Sequence, residues 1–231
     1  TRSIAVTGVQ TCALPISTLE ILPRIADQEC IRREGECCRI AASATIEQLR
    51  TSPVLQAQLP SIAEDLKLMC SAPIRQHATL GGNLANASPI ADLAVFFLGL
   101  DAELILEKAG SHRSLPLREF FLAYKQTALQ PGERITEIAF AVASRFSFEK
   151  VCKRMHLDIA SVNSALSIRL VNGVIDHVHL AAGGVSAIPL YLTATCDYLR
   201  GKVLNAKTVL AAAAIAQTEI TPISDVRGAI D

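Results

Sequence analysis

The chain has no tryptophan, aromatic residues make up only 4% of its 231 residues, and 19% are charged. Half are hydrophobic, which excludes intrinsic disorder, because so little charge cannot keep that much Ala, Ile, Leu and Val solvated. No sign of charge predominates. Twenty-two basic residues balance 22 acidic ones, so no bulk field draws the chain to nucleic acid or an anionic membrane. No apolar run approaches the ~20 residues needed to cross a bilayer. Cys-x-x-Cys pairs are missing too, among seven cysteines at Cys12, Cys30, Cys37, Cys38, Cys70, Cys152 and Cys196. An odd count without clustering argues against a secreted disulfide scaffold and against a zinc or iron–sulfur site built from these thiols alone. On a strand, Cys37 and Cys38 point to opposite faces and do not share a metal. The reading is of reduced thiols in a cytoplasm, and of a globular chain with one large domain or two small ones.

Residues 1–16 fit poorly with the remainder of the chain. TRSIAVTGVQTCALPI carries one positive charge and no small-residue cleavage site, so it is not a secretory signal. Val6 to Ile16 resembles the translation of a common short-read sequencing adapter. The expectation is a foreign segment joined near Ser17, with whatever preceded Ser17 lost.

Further on, Arg39 to Ser43 reads as a short strand, and Thr45 caps a helix from Ile46, with Gln48 at the reach-back position of a capping box. Ile62, Leu66 and Met69 repeat at helical spacing, and Pro73 ends that helix. Thr79 to Pro89 reads as a Gly/Asn-rich loop before a buried helix at Ile90 to Leu100. Ala102 to Leu106 and Ser114 to Leu117 make a hairpin, and Ile135 to Val142 is a strand. The pattern changes near Ser144, where a boundary is placed. Beyond it, Ser164 to Val171 and Val174 to Ala182 pair through Asn172-Gly173. Leu190 to Leu199 and Ala206 to Glu219 are helical, with Gly201 stopping the first. Two strands followed by two helices predict a small α+β layer.

The chemistry concentrates in RQHATLGGNLANASPIADL, Arg75 to Leu93. Gly81 and Gly82 allow close backbone approach, and successive N–H groups of such a loop accept phosphate oxygens. Thr79 adds a hydroxyl and Asn83 an amide. Ser88-Pro89 starts the next helix, whose positive end favours an anion, and Asp92 suits sugar hydroxyls. A tight turn before a buried helix explains the same glycines, and Ser88 is then only a cap. His177 and His179 share a strand face but lack a nearby carboxylate or Cys partner, so no metal site is assigned. No Ser-His-Asp or Cys-His arrangement is evident, and no catalytic residue is named.

TLGGNLANASPIADL resembles the flavin-binding signature of the FAD subunits and domains of the molybdenum hydroxylases, the family of xanthine dehydrogenase and carbon monoxide dehydrogenase. The resemblance continues through Leu115 to Ile138, similar to that family's strand–helix–strand stretch. It resumes in KVCKRMHLDIASV, Lys150 to Val162, and AAGGVSAIP, Ala181 to Pro189. It closes with EITPISDVRGA, Glu219 to Ala229, which is most similar to the xanthine branch. It implies an α+β fold: the second subdomain of a PCMH-type α/β flavin domain at 17–143, then a C-terminal domain at 144–231 like that of carbon monoxide dehydrogenase flavoproteins, with an antiparallel sheet and helices.

By the same resemblance, Thr79, Leu80, Gly81, Gly82 and Asn83 line the flavin nucleotide. Asp92 hydrogen-bonds its polyol or nearby polar groups. Met69 takes the place of a large apolar residue near the cofactor, and Lys150 matches a lysine beside the flavin. Arg154 and Asp158 match a polar run on the nicotinamide side. For Lys150 a solvated strand-edge charge remains open, and for Arg154 and Asp158 a structural ion pair. The family's second Gly-rich loop, which holds the FAD pyrophosphate, has no counterpart between Ser17 and Arg39. His156-Leu157 replaces more acidic residues of some members.

The implied role is electron transfer from iron–sulfur clusters through FAD to NAD. The molybdenum cofactor and the clusters sit on partner domains or subunits, a molybdenum-binding large subunit among them. A carbon monoxide dehydrogenase-like or aromatic hydroxylase FAD subunit is the alternative, and so is a non-catalytic assembly protein without flavin.

Overall fold

The computed structural model describes residues 30–142, 145–154 and 157–223. The segment 1–16, Cys12, His156 and residues 224–231 lie outside them.

Two larger antiparallel sheets organise the described residues. The first has five strands in the order β1-β2-β7-β3-β4, from β1 (Ile31–Glu34), β2 (Cys37–Ala41), β3 (Glu103–Lys108), β4 (Ser111–Pro116) and β7 (Arg134–Ala141). A two-stranded ribbon of β5 (Phe121–Ala123) and β6 (Gln126–Thr127) stands apart. The second sheet runs β11-β10-β9-β8, from β8 (Arg145–Val151), β9 (Val162–Val171), β10 (Val174–Gly183) and β11 (Leu190–Tyr191). The architecture is α+β.

Short helices fill the space between β2 and β3. They are α1 (Ile46–Thr51), α2 (Pro53–Gln58), α3 (Ile62–Asp65), α4 (Ala72–Arg75), α5 (Leu80–Ala85) and α6 (Asp92–Leu98). The capping box of α1 forms as its sequence predicts: the Gln48 N–H donates to Thr45 Oγ1 at 3.2 Å and the Thr45 N–H donates to Gln48 Oε1 at 2.8 Å. Helix α6 is buried from Leu93 to Leu98, so it is wrapped by protein on every side. Its Phe96 packs on Phe146 and Phe148 of β8, with centroids 4.6 and 5.6 Å apart.

Strand β9 divides two cores by alternation. Asn163, Ala165 and Ser167 are buried, and Ala165 meets the end of α6 at Gly99. Leu166, Ile168 and Leu170 instead pack toward Cys196 and Leu199 of α7 (Thr193–Leu199) and Ala212 of α8 (Ala206–Glu219).

Several local expectations are corrected. Thr79 to Pro89 is not a loop throughout: Leu80–Ala85 is helix α5, started by Thr79, whose Oγ1 accepts the Gly82 N–H at 3.1 Å. A Cβ at Gly81 would stand 2.8 Å from the Ala42 Cβ, so close packing against the end of β2 requires this glycine. Pro73 does not end a helix. The preceding one already tightens into a 3-10 turn at Leu66–Leu68, and Pro73 sits in the first turn of α4, where its missing N–H costs nothing.

Ser88-Pro89 forms a turn closed by the Ala91 N–H on the Ser88 carbonyl, and α6 begins only at Asp92. The expected helix within Leu115 to Ile138 is a 3-10 turn at Leu117–Glu119 followed by the β5–β6 ribbon. Leu190–Tyr191 pairs with β10 as a strand, which delays α7 to Thr193.

Candidate functional site: a cleft beside a buried ion pair

Asp92, the first residue of α6, lies where a helix N-terminus favours negative charge. Its Oδ2 accepts from Lys150 Nζ at 2.7 Å and its Oδ1 from Asn163 Nδ2 at 2.6 Å. The Lys150 side chain is only 3% exposed and also donates to the Leu68 carbonyl at 3.1 Å. Register explains the meeting: Lys150 on β8 is directly opposite Asn163 on β9, and Asn163 opposite Gly183 on β10. One rung across three strands therefore supplies the cation, the amide and a gap, and α6 sets its carboxylate over them.

Beside this pair lies a cleft of about 400 Å³, lined by Leu68, Lys150, Val151, Cys152, Lys153, Arg154, Leu157 and Asp158. That volume suits a small molecule or one ring system of a cofactor. Leu68, Val151 and Leu157 expose apolar surface around it. In the segment that follows Leu68, Arg75 Nη1 donates to the carbonyls of Met69 and Cys70 at 3.1 and 2.8 Å, and its Nε to Glu47 Oε2 at 2.9 Å. The Cys70 thiol is pushed up by desolvation and by the Asp92 carboxylate, while Lys150 and Arg75 pull the other way. Arg154 and Asp158 pair at 3.1 Å, and this guanidinium holds the carboxyl below its usual range.

The structure brings Asp92 and Lys150 together and puts Lys150, Arg154 and Asp158 on one cleft. Residues Thr79 to Asn83 do not line that cleft. Their backbone donors are engaged within the protein: the Leu80 N–H on Ala44 O, Gly81 on Ala42 O, Gly82 on Thr79 Oγ1 and Asn83 on Thr79 O. The expected anion-accepting row of free N–H groups is therefore not found at α5. Leu80 is fully buried, and Met69, 2% exposed, packs in the core.

What α5 does offer is side-chain chemistry. The Thr79 hydroxyl, already accepting from Gly82, keeps its proton to donate. Asn83 Oδ1 is buried and, among the described residues, accepts no hydrogen bond. A buried amide oxygen left unpartnered is a standing cost that an incoming donor would relieve. The cation and apolar walls of the cleft suit a polar ring system, while the Thr79 and Asn83 groups of α5 lie outside its lining.

The histidine pair does not converge. Contrary to expectation each histidine has a carboxylate close by, but a different one: His177 Nδ1 is 2.8 Å from Asp176 Oδ2, while His179 Nδ1 is 3.7 Å from Asp101 Oδ2 and 2.8 Å from the Tyr191 hydroxyl. Sequence reasoning missed Asn163, the Leu68 carbonyl and the Arg75 clamp. For Asn163 a signal existed: an amide at a buried place of an alternating strand asks for a partner.

The chain matches the family model described as FAD binding domain in molybdopterin dehydrogenase over residues 16–141, and that of the CO dehydrogenase flavoprotein C-terminal domain over residues 147–231. It is similar to the carbon monoxide dehydrogenase medium chain of Hydrogenophaga pseudoflava, 32% identical over 211 residues that cover 90% of this chain and 73% of that one. It is also similar to xanthine dehydrogenase of Oryza sativa subsp. japonica, 33% identical over 62% of this chain but 11% of that protein. Among solved structures, carbon monoxide dehydrogenase from Hydrogenophaga pseudoflava superposes with a TM-score of 0.82 at 31% identity, covering 90% of this chain and 73% of that one.

Proposed function

Because the chain belongs to the family of FAD-binding domains of molybdopterin dehydrogenases, we propose that it is the flavin-carrying electron-transfer component of a xanthine dehydrogenase-like molybdenum hydroxylase, working in the cytoplasm with NAD as acceptor. Its partners on this reading are a molybdenum-binding large subunit and an iron–sulfur domain or subunit. The observation that carries it is the Lys150 ammonium, buried beside the cleft and held by Asp92.

A flavin supplies the redox chemistry, accepting electrons singly and releasing a pair, and the protein supplies position and electrostatics. Lys150 offers fixed positive charge to that site, where a preorganised cation stabilises negative charge without rearrangement. Asp92 orients Lys150 and accepts from the cofactor's hydroxyls. The Thr79 hydroxyl and the Asn83 amide bind its polar groups. Leu80, Gly81 and Gly82 hold α5 against β2, and Met69 supports the wall from behind. Arg154 and Asp158 stand on the side where a nicotinamide acceptor docks.

The test begins with an FAD titration of the whole chain followed by flavin fluorescence, alongside Lys150→Met. Tight binding that weakens in the variant supports the site; equal affinity overturns it. Anaerobic NADH added to the loaded protein should bleach the visible flavin absorbance. If dithionite bleaches it and NADH does not, the NAD acceptor is wrong.

A second reading, a subunit like the carbon monoxide dehydrogenase medium chain, is favoured by the extent of similarity. That relative is matched over 90% of this chain and 73% of its own length, against 62% and 11% for the rice xanthine dehydrogenase. An NADH-unreactive flavin supports it.

A further inference from the structure

Asn163 is 1% exposed, yet only half of its amide is used. Nδ2 donates to Asp92 Oδ1 at 2.6 Å and to the Ile90 carbonyl at 3.3 Å, while Oδ1 accepts nothing among the described residues. A buried strand position facing a helix is better filled, for stability alone, by an aliphatic side chain without an unsatisfied oxygen. The room Oδ1 occupies is left by Gly183 on the next strand, where any Cβ would collide with it. Two positions of the second sheet thus accommodate one donor.

We infer that Asn163 is a positioning residue: from β9 it fixes the plane of the Asp92 carboxylate, and through it the Lys150 ammonium, in the orientation presented to the flavin. The inference rests on the flavin reading of the cleft only in its last clause. Without Nδ2, the Asp92 carboxylate, 15% exposed in its side chain, is free to swing toward water. Lys150 then keeps only the Leu68 carbonyl as a fixed partner.

The experiment compares the whole chain with Asn163→Leu and Asn163→Ser, neither of which donates a hydrogen bond across to Asp92. Acylation of the Lys150 amine by a small water-soluble reagent is followed by mass spectrometry from neutral to alkaline pH, with no cofactor present. Loss of one hydrogen bond to a charged group predicts acylation about ten- to a hundredfold faster in both variants. Should Asn163→Leu fail to fold, Asn163→Ser carries the comparison. Equal acylation of Lys150 in the folded variant and the wild type overturns the inference.

A third variant supplies a pH signature that a merely structural role would not produce. In Asn163→Asp the new carboxyl donates to Asp92 while the two share a proton and repels it once that proton is lost. Its FAD affinity should match the wild type in mild acid and fall toward that of Asn163→Leu in mild alkali, while the wild type shows no such drop. A profile parallel to the wild type overturns the inference. Failure of the wild-type chain to bind FAD overturns the flavin reading alone, because the acylation comparison needs no cofactor.

Discussion

Asn163 and Gly183 face each other across β9 and β10, and the amide oxygen of the first fills the space where a side chain of the second would begin. The paired glycines Gly183-Gly184 thus serve helix–sheet contact: the Gly184 N–H binds the Pro89 carbonyl at 3.0 Å, drawing the turn before α6 onto the second sheet.

Gly183→Ala is accordingly an overpacking change. Its Cβ would also stand 2.8 Å from Val95 Cγ2 on α6. The expected destabilisation is about 1–3 kcal/mol, read as a lower urea midpoint with an unchanged slope. A variant as stable as the wild type would show that α6 and β10 have slack.

The two members of the ion pair differ in what they leave behind. Asp92→Ala strands an ammonium whose side chain is 3% exposed, and breaking a buried pair in this way costs about 3–5 kcal/mol. Lys150→Met fills the same space and leaves Asp92 held by Asn163, costing about 1.5–3 kcal/mol. Denaturant titrations of both variants should rank them in that order; the reverse order would mean that Lys150 escapes to solvent.

Thr79 caps α5 and offers a hydroxyl proton. Thr79→Ala is expected to cost about 0.5–2 kcal/mol of stability and to weaken FAD binding, while Thr79→Ser recovers both. Thermal melts and flavin titrations separate the two effects. Full affinity in Thr79→Ala would leave the residue as a cap alone.

Acid weakens the ion pairs of Glu47 and Glu133. Hydrogen bonding from Arg50, then from Arg75, lowers Glu47 from 4.5 to about 2, and Arg113 does the same for Glu133. Because the folded state lowers these values, the stabilisation is whole above the ordinary carboxyl range and is lost as pH falls from about 4.5 toward 2. Stability measured across that window should fall more steeply in the wild type than in Glu47→Gln, whose Arg75 has already lost its ionic partner. Parallel slopes would show that Glu47 contributes nothing to the acid transition.

Features decided within a few residues were legible in the sequence: the Thr45 capping box, the Asn172-Gly173 hairpin, and α8 to both of its ends. Asp92 and Lys150 were legible as separate candidates through family resemblance. Their union was not, since it depends on the register of β8 on β9 and on an amide 71 residues from its acceptor. The Gly81-Gly82 segment misled because its glycines look like a turn, while the choice of helix rests with Ala42, whose carbonyl and methyl receive it. Local pattern carries propensity, and long-range contacts override it.

Phe96 and Phe97 of α6 belong to neither sheet and between them reach both: Phe96 meets Phe146 and Phe148 of β8, and Phe97 meets Phe140 of β7 at 5.8 Å. Close-packed interiors of this kind transmit strain instead of absorbing it. The two sheets are accordingly tied through one helix, so a change of side-chain volume at Phe96 or Phe97 is felt on both.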